Sequence, residues 1–222
     1  MNYGNLDFLK ETLKLLGFGK ACTCLEKMDT MLTKRTIEFN LQTEVAYDGM
    51  HSLEVTLHFR RSENTGIFSF YKYDAILNRG KGDTKERSHT FYVKKEGGIA
   101  LKEAYNLLRG RAVNKNLVDK NGRKYNAWIE LEFGEKDRND NYRMRQFRGE
   151  HGYDLERVLE KYHIQELKDE TLRDGVIKSL KMGNEHAVTF MLSNSIQRMY
   201  IAANPRQKAL HISAVRRLEL DM

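Results

Sequence analysis

The fold is decided by residues 36–61, which read TIEFNLQTEVAYDGMHSLEVTLHFRR. Apolar and polar residues alternate along both halves of this stretch, with the period of a strand that buries one face. Between the halves lies Asp48-Gly49-Met50, in which Gly49 can take the positive φ of a short hairpin loop. A three-residue loop pairs Tyr47 with His51 and brings both apolar sets to one side. The stretch therefore predicts an antiparallel hairpin with one buried face and one solvent-facing face.

The register of this hairpin predicts which residues face each other. Leu57 should lie opposite Leu41, and Val55 opposite Thr43, on the buried face. Glu54 falls on the solvent-facing side. A shift of one residue would reverse these assignments, so the register can be checked directly in a structure.

The rest of the chain carries further patterns of the same two kinds. Helical spacing of apolar residues predicts helices near residues 5–16, 21–32, 100–108, 154–162 and 169–182. Alternation predicts strands near residues 67–77, 88–93, 112–118, 125–133, 142–147, 186–192, 196–202 and 207–213. We expect an α+β fold: two antiparallel β-meanders with helices packed on one face, plus a small C-terminal α-β-β-β unit. The expected domains are an α+β body at 1–163 and the C-terminal unit at 164–222.

The composition is typical of a globular protein of the cytoplasm. The chain has 222 residues, of which 40% are hydrophobic and 31% charged, with a single proline. So little proline argues against a disordered or linker-rich chain. No run approaches the roughly eighteen apolar residues of a membrane helix, and the N-terminus lacks the pattern of a secretory signal. We therefore expect a cytoplasmic protein that does not enter a membrane, and its oligomeric state stays open.

Residues with catalytic or metal-binding chemistry are scattered along the sequence. Cys22 and Cys24 are one residue apart, whereas structural zinc sites use about two to four residues and a second ligand pair. The seven histidines form no metal spacing such as His-Glu-x-x-His. Neither a nucleophile elbow nor a phosphate-binding loop occurs, and the spaced glycines of residues 79–83 precede a strand rather than a helix. We expect no metal, no other cofactor and no enzymatic activity.

The positive charge is concentrated in one region of the chain. The net charge is +7, and residues 79–148 alone hold 18 Lys/Arg and 10 Asp/Glu, a net of +8. Such a region can bind nucleic acid or an acidic protein, although a solvated basic surface is the simpler interpretation. Tyr71 and Tyr73 either stack on bases or pack in the core. The candidate nucleic-acid-binding residues are Arg79, Lys81, Lys85, Arg87, Arg143, Arg145 and Arg148.

Several short stretches together resemble a known family. In the tail they are Lys178-Ser179-Leu180, Gly183-Asn184, Ala187-Val188-Thr189-Phe190 and Ala203-Asn204-Pro205, and elsewhere residues 6–19, 104–110, 112–115 and 125–128. They are similar to an uncharacterised family of Bacteroidetes-type proteins, whose members are often encoded near conjugative or other mobile elements. The matching motifs are a helix stop, turns and strand cores. Ser193-Asn194-Ser195-Ile196 departs from the family pattern, which usually carries Asp-Gly and charged residues at this turn. The resemblance implies an association with mobile elements and no known activity.

Three functions remain open on this sequence. The leading one is a non-enzymatic binding module, accessory to a mobile element, that contacts nucleic acid or an acidic protein through its basic surface. The alternative is a protein–protein interaction scaffold, in which a sheet edge or an apolar face docks another chain. The third is an enzyme with an unrecognised site, which would need a deep pocket with converging polar groups.

Overall fold

The computed structural model describes residues 3–19, 25–33, 36–47, 50–78, 86–94, 97–148 and 152–214. Cys22, Cys24 and the loop residues Asp48 and Gly49 lie outside these ranges. The described residues form α-helices and three antiparallel sheets, which confirms a mixed α+β fold. None of the helices among them is both long enough and apolar enough to cross a membrane.

The part of the chain that the structure describes contains five α-helices and ten strands. The helices are α1 (Tyr3–Leu15), α2 (Leu25–Thr33), α3 (Leu101–Leu108), α4 (Leu155–Leu159) and α5 (Glu170–Lys181). The strands are β1 (Glu38–Ala46), β2 (Ser52–Arg61), β3 (Phe68–Asn78), β4 (Arg87–Tyr92), β5 (Val113–Val118), β6 (Lys124–Lys136), β7 (Tyr142–Phe147), β8 (His186–Leu192), β9 (Ser195–Asn204) and β10 (Ala209–Ala214). The sheets have the strand orders β1-β2-β3-β4, β5-β6-β7 and β10-β9-β8, so each is a meander of sequence neighbours.

The first sheet has the register that the sequence predicts. Leu41 lies opposite Leu57 and Thr43 opposite Val55, and the backbone N–H of Tyr47 donates to the carbonyl of His51 at 3.0 Å. The alternating apolar residues of β2 are buried, whereas Glu54 between them is exposed. The predicted register and faces of the hairpin are therefore confirmed.

The buried face of this sheet packs against α1 and against Phe18, which follows that helix. Leu9 and Leu13 on α1 are fully buried. The ring of Phe18 meets that of Tyr73 edge to face, with centroids 5.2 Å apart. The Tyr73 hydroxyl donates to the carbonyl of Ile99 at 2.6 Å, which satisfies its polar atom inside the core.

The contacts between residues divide the chain into two compact units. The first unit comprises Met1–Arg109 and Phe133–Arg143, and the second comprises Gly110–Glu132 and Met144–Met222. The far end of the β6–β7 hairpin thus belongs to the first unit. The separate domains expected at 1–163 and 164–222 stay a prediction.

The second unit has its own hydrophobic core. The inner faces of β8 and β9 supply Val188, Phe190 and Ile201, and α4 and α5 cover them with apolar side chains such as Leu159 and Leu180. Trp128, on β6, joins the same cluster. Asp154 caps α4 by accepting a hydrogen bond from the backbone N–H of Arg157 at 3.1 Å. The short helix α4 is therefore held in place by both its cap and its buried face.

Candidate nucleic-acid interface

The predicted basic loop lies only partly within the described residues. Arg79, Lys81 and Lys85 fall outside them. Arg87 is half-buried, donates to the carbonyl of Leu108 at 2.9 Å and lies 3.8 Å from the ring centroid of Phe133. These contacts tie the Arg87 guanidinium to the protein. The joint surface of this loop with Arg143 and Arg145 stays a prediction.

Two of the predicted cations lie on β7. Arg143 and Arg145 both occupy exposed positions of the strand. Arg145 donates to the Glu132 carboxylate at 3.1 Å, and Arg206 forms ion pairs with Glu130 and Glu132 at 3.3 and 3.4 Å. The carboxylates of β6 therefore neutralise part of the basic region, which lowers its attraction for phosphates.

Arg148, another of the predicted cations, lines a cavity. It is exposed, and its guanidinium lies 4.9 Å from the ring centroid of Tyr125. The cavity beside it is a cleft of about 720 Å³ within the second unit. That volume is within the range of small-molecule sites, about 300–1,000 Å³. The lining residues are Asn114, Asn126, Trp128, Phe147, Arg148, Gly152, Tyr153, Asp154, Leu155, Glu156, Arg157, Val158, Lys161, Lys181 and Lys208.

The cleft is positively charged. Five Lys/Arg side chains and two carboxylates line it, which gives a net charge of +3. Within the described residues, the exposed side chains of Arg157, Lys161 and Lys208 have no hydrogen-bond or ion-pair partner. Lys181 lies 3.8 Å from the Glu156 carboxylate. The cleft, called the cationic cleft below, thus presents three unpaired positive charges to a ligand.

One side of the cationic cleft carries a network of amides. Asn114 and Asn126 donate to each other's side-chain oxygens at 2.7 and 2.9 Å. The Asn126 amide also donates to Asn116 at 2.8 Å. These bonds hold the Asn114 and Asn126 groups in fixed orientations. Part of their hydrogen-bonding capacity stays available, because each amide has two protons and each oxygen two lone pairs.

Aromatic side chains form the floor of the cationic cleft. The indole of Trp128 donates to the carbonyl of Tyr153 at 3.1 Å, and both side chains are buried. Burial raises the pKa of Tyr153 above its usual range, so its hydroxyl stays protonated and donates to the carbonyl of Ala209 at 2.8 Å. Phe147 is half-buried and lines the same cleft. A ligand with a planar apolar part would therefore find ring surface beside cations.

The two tyrosines considered for base stacking differ in burial. Tyr73 is fully buried, so the expectation that it stacks on a base is wrong and its core alternative is correct. Its position on the inward face of β3, opposite Leu57, explains this burial. Tyr71 is half-buried, with the Arg60 guanidinium 4.8 Å from its ring centroid.

On the first sheet, the carboxylate of Asp74 lies between a histidine and a threonine hydroxyl. His58 lies 2.5 Å from Asp74, and the Thr90 hydroxyl donates to the same carboxylate at 2.6 Å. The carboxylate stands between the imidazole and the hydroxyl, whereas an activated hydroxyl needs the imidazole next to it. Among the described residues, no group of three or more His, Cys, Asp or Glu side chains is placed to hold a metal ion.

Comparisons with models of protein families, with curated proteins and with solved structures found no match. They hold nothing that points to an enzymatic activity. The function of the cationic cleft is therefore inferred from its geometry and charge.

Most residues of the cationic cleft were absent from the sequence prediction. Arg157 lies within α4, Lys161 follows two residues after its end, Lys181 ends α5, and Lys208 belongs to the turn between β9 and β10. A count of charge along the sequence finds only Arg148, because the other cations come from segments far apart in the chain. The spacing of Arg157 and Lys161, on one exposed side of a helical turn, was the one local signal.

Proposed function

We propose that this chain is a non-enzymatic binding module whose second unit binds nucleic acid in the cationic cleft. The observation that carries the proposal is the convergence of Arg157, Lys161 and Lys208 on one cavity without protein partners among the described residues. Cations with no carboxylate to neutralise them attract phosphate groups. Arg148 lines the same cleft and links the proposal to the basic region of the sequence.

The charge balance around the cleft supports a polyanion as the ligand. Arg145 and Arg206 are paired with the carboxylates of β6, whereas the cleft retains a net charge of +3. A chain of phosphates can contact several of these cations at once. An acidic protein would be attracted by the same charge, but it lacks bases that can stack on rings and pair with amides. Nucleic acid thus fits the whole lining of the cleft.

The proposal is tested by measuring how affinity depends on salt. Fluorescence anisotropy with a labelled 12-nucleotide single strand gives the dissociation constant between about 50 and 200 mM salt. The triple variant Arg157→Ala, Lys161→Ala, Lys208→Ala should bind at least about tenfold more weakly at the low-salt end. The slope of log affinity against log salt should fall by about 2, since each phosphate contact with a single strand contributes about 0.7.

A matched control separates the cleft from the overall charge of the protein. Lys10, Lys120 and Lys178 are exposed and lie outside the lining of the cleft. Their triple alanine variant removes the same charge and should keep the affinity and slope close to those of the wild type. Equal losses in both triple variants, or no salt-dependent binding by the wild type, would contradict the proposal. Binding of an acidic peptide but of no oligonucleotide would also contradict it.

A second function, the protein-interaction scaffold, is favoured by an apolar surface on the second unit. Met191 on β8 lies opposite Ile196 on β9, and Ile196 is 72% exposed and Leu192 47% exposed. Met191 and Leu192 also line a groove of about 680 Å³. Exposed apolar patches often mark interfaces. If this surface joins copies of the chain, sedimentation velocity should show self-association that Ile196→Lys abolishes, and a monomer at all concentrations would contradict that arrangement.

The biological setting stays a proposal based on the resemblance to proteins encoded near mobile elements. A nucleic-acid-binding module suits that setting, because such elements are transferred as nucleic acid. The setting is tested by whether the purified wild type retains nuclease-sensitive material from its host and the cleft triple variant does not.

A further inference from the structure

We infer that the cationic cleft takes an unpaired nucleotide, so that the ligand is a single strand rather than a duplex. This inference rests on the proposed function and adds the form of nucleic acid and the way its base is recognised. It is carried by the shape of the cleft, by the amide network of Asn114 and Asn126, and by the ring of Phe147.

The shape of the cleft excludes a duplex from its floor. A duplex presents its base edges inside grooves, so a protein reads them with a protruding helix or strand. Here the amides and rings line a concave space of about 720 Å³. A base can reach these amides and rings only if it is unpaired and enters the cleft, as the bases of single-stranded ligands can.

The amide network leaves Asn114 both a donor and an acceptor, and a base can use both kinds of position whereas a phosphate can use only the donor. Asn126 uses both amide protons, on Asn114 and Asn116. Asn114 uses one proton, on Asn126, and accepts one hydrogen bond. Its amide therefore keeps one donor and one acceptor position. The pair with Asn126 occupies the side of the amide where its oxygen and one N–H are adjacent, so each free position of Asn114 can form one single hydrogen bond. A phosphate offers only acceptors, whereas a base carries both donors and acceptors and can use either position.

Phe147 supplies a surface on which the base can stack. It lines the cleft together with Asn114 and Arg148, and the Arg145 guanidinium lies 5.3 Å from its ring centroid. Stacking on an aromatic ring is how sequence-tolerant proteins hold single strands. The cations of the cleft are then left to contact the phosphates on either side of the inserted nucleotide.

The test compares labelled 12-nucleotide homopolymers of DNA and of RNA with the matching 12-base-pair duplexes. The wild type should bind at least one single strand about tenfold or more tightly than its duplex. Asn114→Leu, which preserves size and charge, should weaken that binding at least about fivefold and reduce the differences between homopolymers. Its salt slope should stay as in the wild type, because no phosphate contact is lost.

The controls distinguish a failure of this inference from a failure of the proposed function. Asn40→Leu, on the exposed side of β1, should bind as the wild type does. The inference is overturned if duplexes bind as tightly as single strands, or if Asn114→Leu changes neither affinity nor base preference. In both cases, weaker binding of nucleic acid by the variant Arg157→Ala, Lys161→Ala, Lys208→Ala would still support the proposed function. If no oligonucleotide binds, both are overturned.

Discussion

The indole Nε1 of Trp128 donates a hydrogen bond to the backbone oxygen of Tyr153 at 3.1 Å, and the two rings meet edge to face with centroids 5.2 Å apart. Trp128 lies on β6, and Tyr153 directly precedes the cap of α4. The Tyr153 hydroxyl continues the connection to Ala209, next to Lys208. These bonds join three segments that line the cationic cleft and hold the cations of α4 and of the β9–β10 turn near each other.

Replacing Trp128 with Phe should destabilise the second unit. The variant keeps an aromatic ring but removes the donor to the Tyr153 carbonyl, which should lower the free energy of unfolding by about 1–3 kcal/mol. Urea unfolding followed by far-UV circular dichroism measures this free energy. Tryptophan fluorescence cannot be used, because Trp128 is the single tryptophan and the variant lacks it. Tyr125→Phe, which removes an exposed hydrogen bond to Gln146, should change stability by about 0.5 kcal/mol or less. Equal effects would contradict the structural role given to Trp128.

The two faces of the first sheet should differ in their sensitivity to substitution. Leu57 is fully buried opposite Leu41, so Leu57→Ala should cost about 2–5 kcal/mol through lost burial and the cavity left behind. Glu54→Ala, on the exposed face, should change stability by about 0.5 kcal/mol or less. Urea unfolding at pH 7 measures both variants. Similar values for the two would overturn the assignment of faces.

The first sheet was predictable because its strands follow a single physical rule. The residues of β1 and β2 alternate in polarity along most of their length, so burying one face fixes both strands and their register. Trp128 broke the alternation of β6, where Ala127 and Ile129 are buried as well. Both sides of the middle of that strand are covered. The polarity of single residues does not predict that both faces of β6 are buried here, because the burial of Trp128 depends on the packing of α4, α5 and the C-terminal strands over one face.

The candidate site was less predictable, because charge along a sequence does not tell which cations are paired. Glu132 forms ion pairs with Arg145 and Arg206, and the sequence around it does not indicate either partner. Apart from the spacing of Lys161 from Arg157, no local sequence pattern marks Lys161 or Lys208 as part of a site, and the two lysines come together only in the tertiary fold. Pairing and convergence both depend on contacts between distant segments, which local patterns do not encode.

The stability of the first unit should depend on pH through His89. This side chain is 6% exposed, and its Nδ1 has no hydrogen-bond partner in the described part of the chain. Burial lowers its pKa from 6.5 to about 4, while Asp137 acts to raise the pKa and Lys136 to lower it. The neutral imidazole therefore favours the folded state fully above pH 6.5. This contribution, about 3 kcal/mol, is lost progressively as the pH falls from about 6.5 to about 4, because over that range the unfolded chain takes up a proton on this histidine and the folded protein does not.

The pH dependence of His89 is checked by urea unfolding at a series of pH values from about 7 to 4. His89→Phe should flatten the fall in unfolding free energy over this range. His211→Gln, at an exposed position of β10, should leave it unchanged. A wild-type curve that His89→Phe does not alter would show that the imidazole is not the group responsible.

Removing a carboxylate from the cationic cleft should strengthen binding. Glu156 lines the cleft and lies 3.8 Å from Lys181 and 3.3 Å from Arg173. Glu156→Gln removes a negative charge and releases Lys181, so the affinity for a labelled single strand at about 50 mM salt should rise about two- to fivefold. Glu63→Gln, an exposed change in the first unit, makes the same charge change and should have little effect. Anisotropy titrations in which Glu156→Gln binds more weakly than the wild type would contradict the proposed ligand.

Locating the bound strand on the protein shows whether nucleic acid binds in the cationic cleft of the second unit. A single strand carrying 5-iodouracil can be crosslinked to the wild-type protein with light and the attachment points mapped by mass spectrometry. We expect crosslinks at Phe147 or Tyr153 and within residues 152–161, and we expect their loss in the variant Arg157→Ala, Lys161→Ala, Lys208→Ala. Crosslinks confined to residues 1–109, with none between 147 and 161, would contradict binding in the cationic cleft.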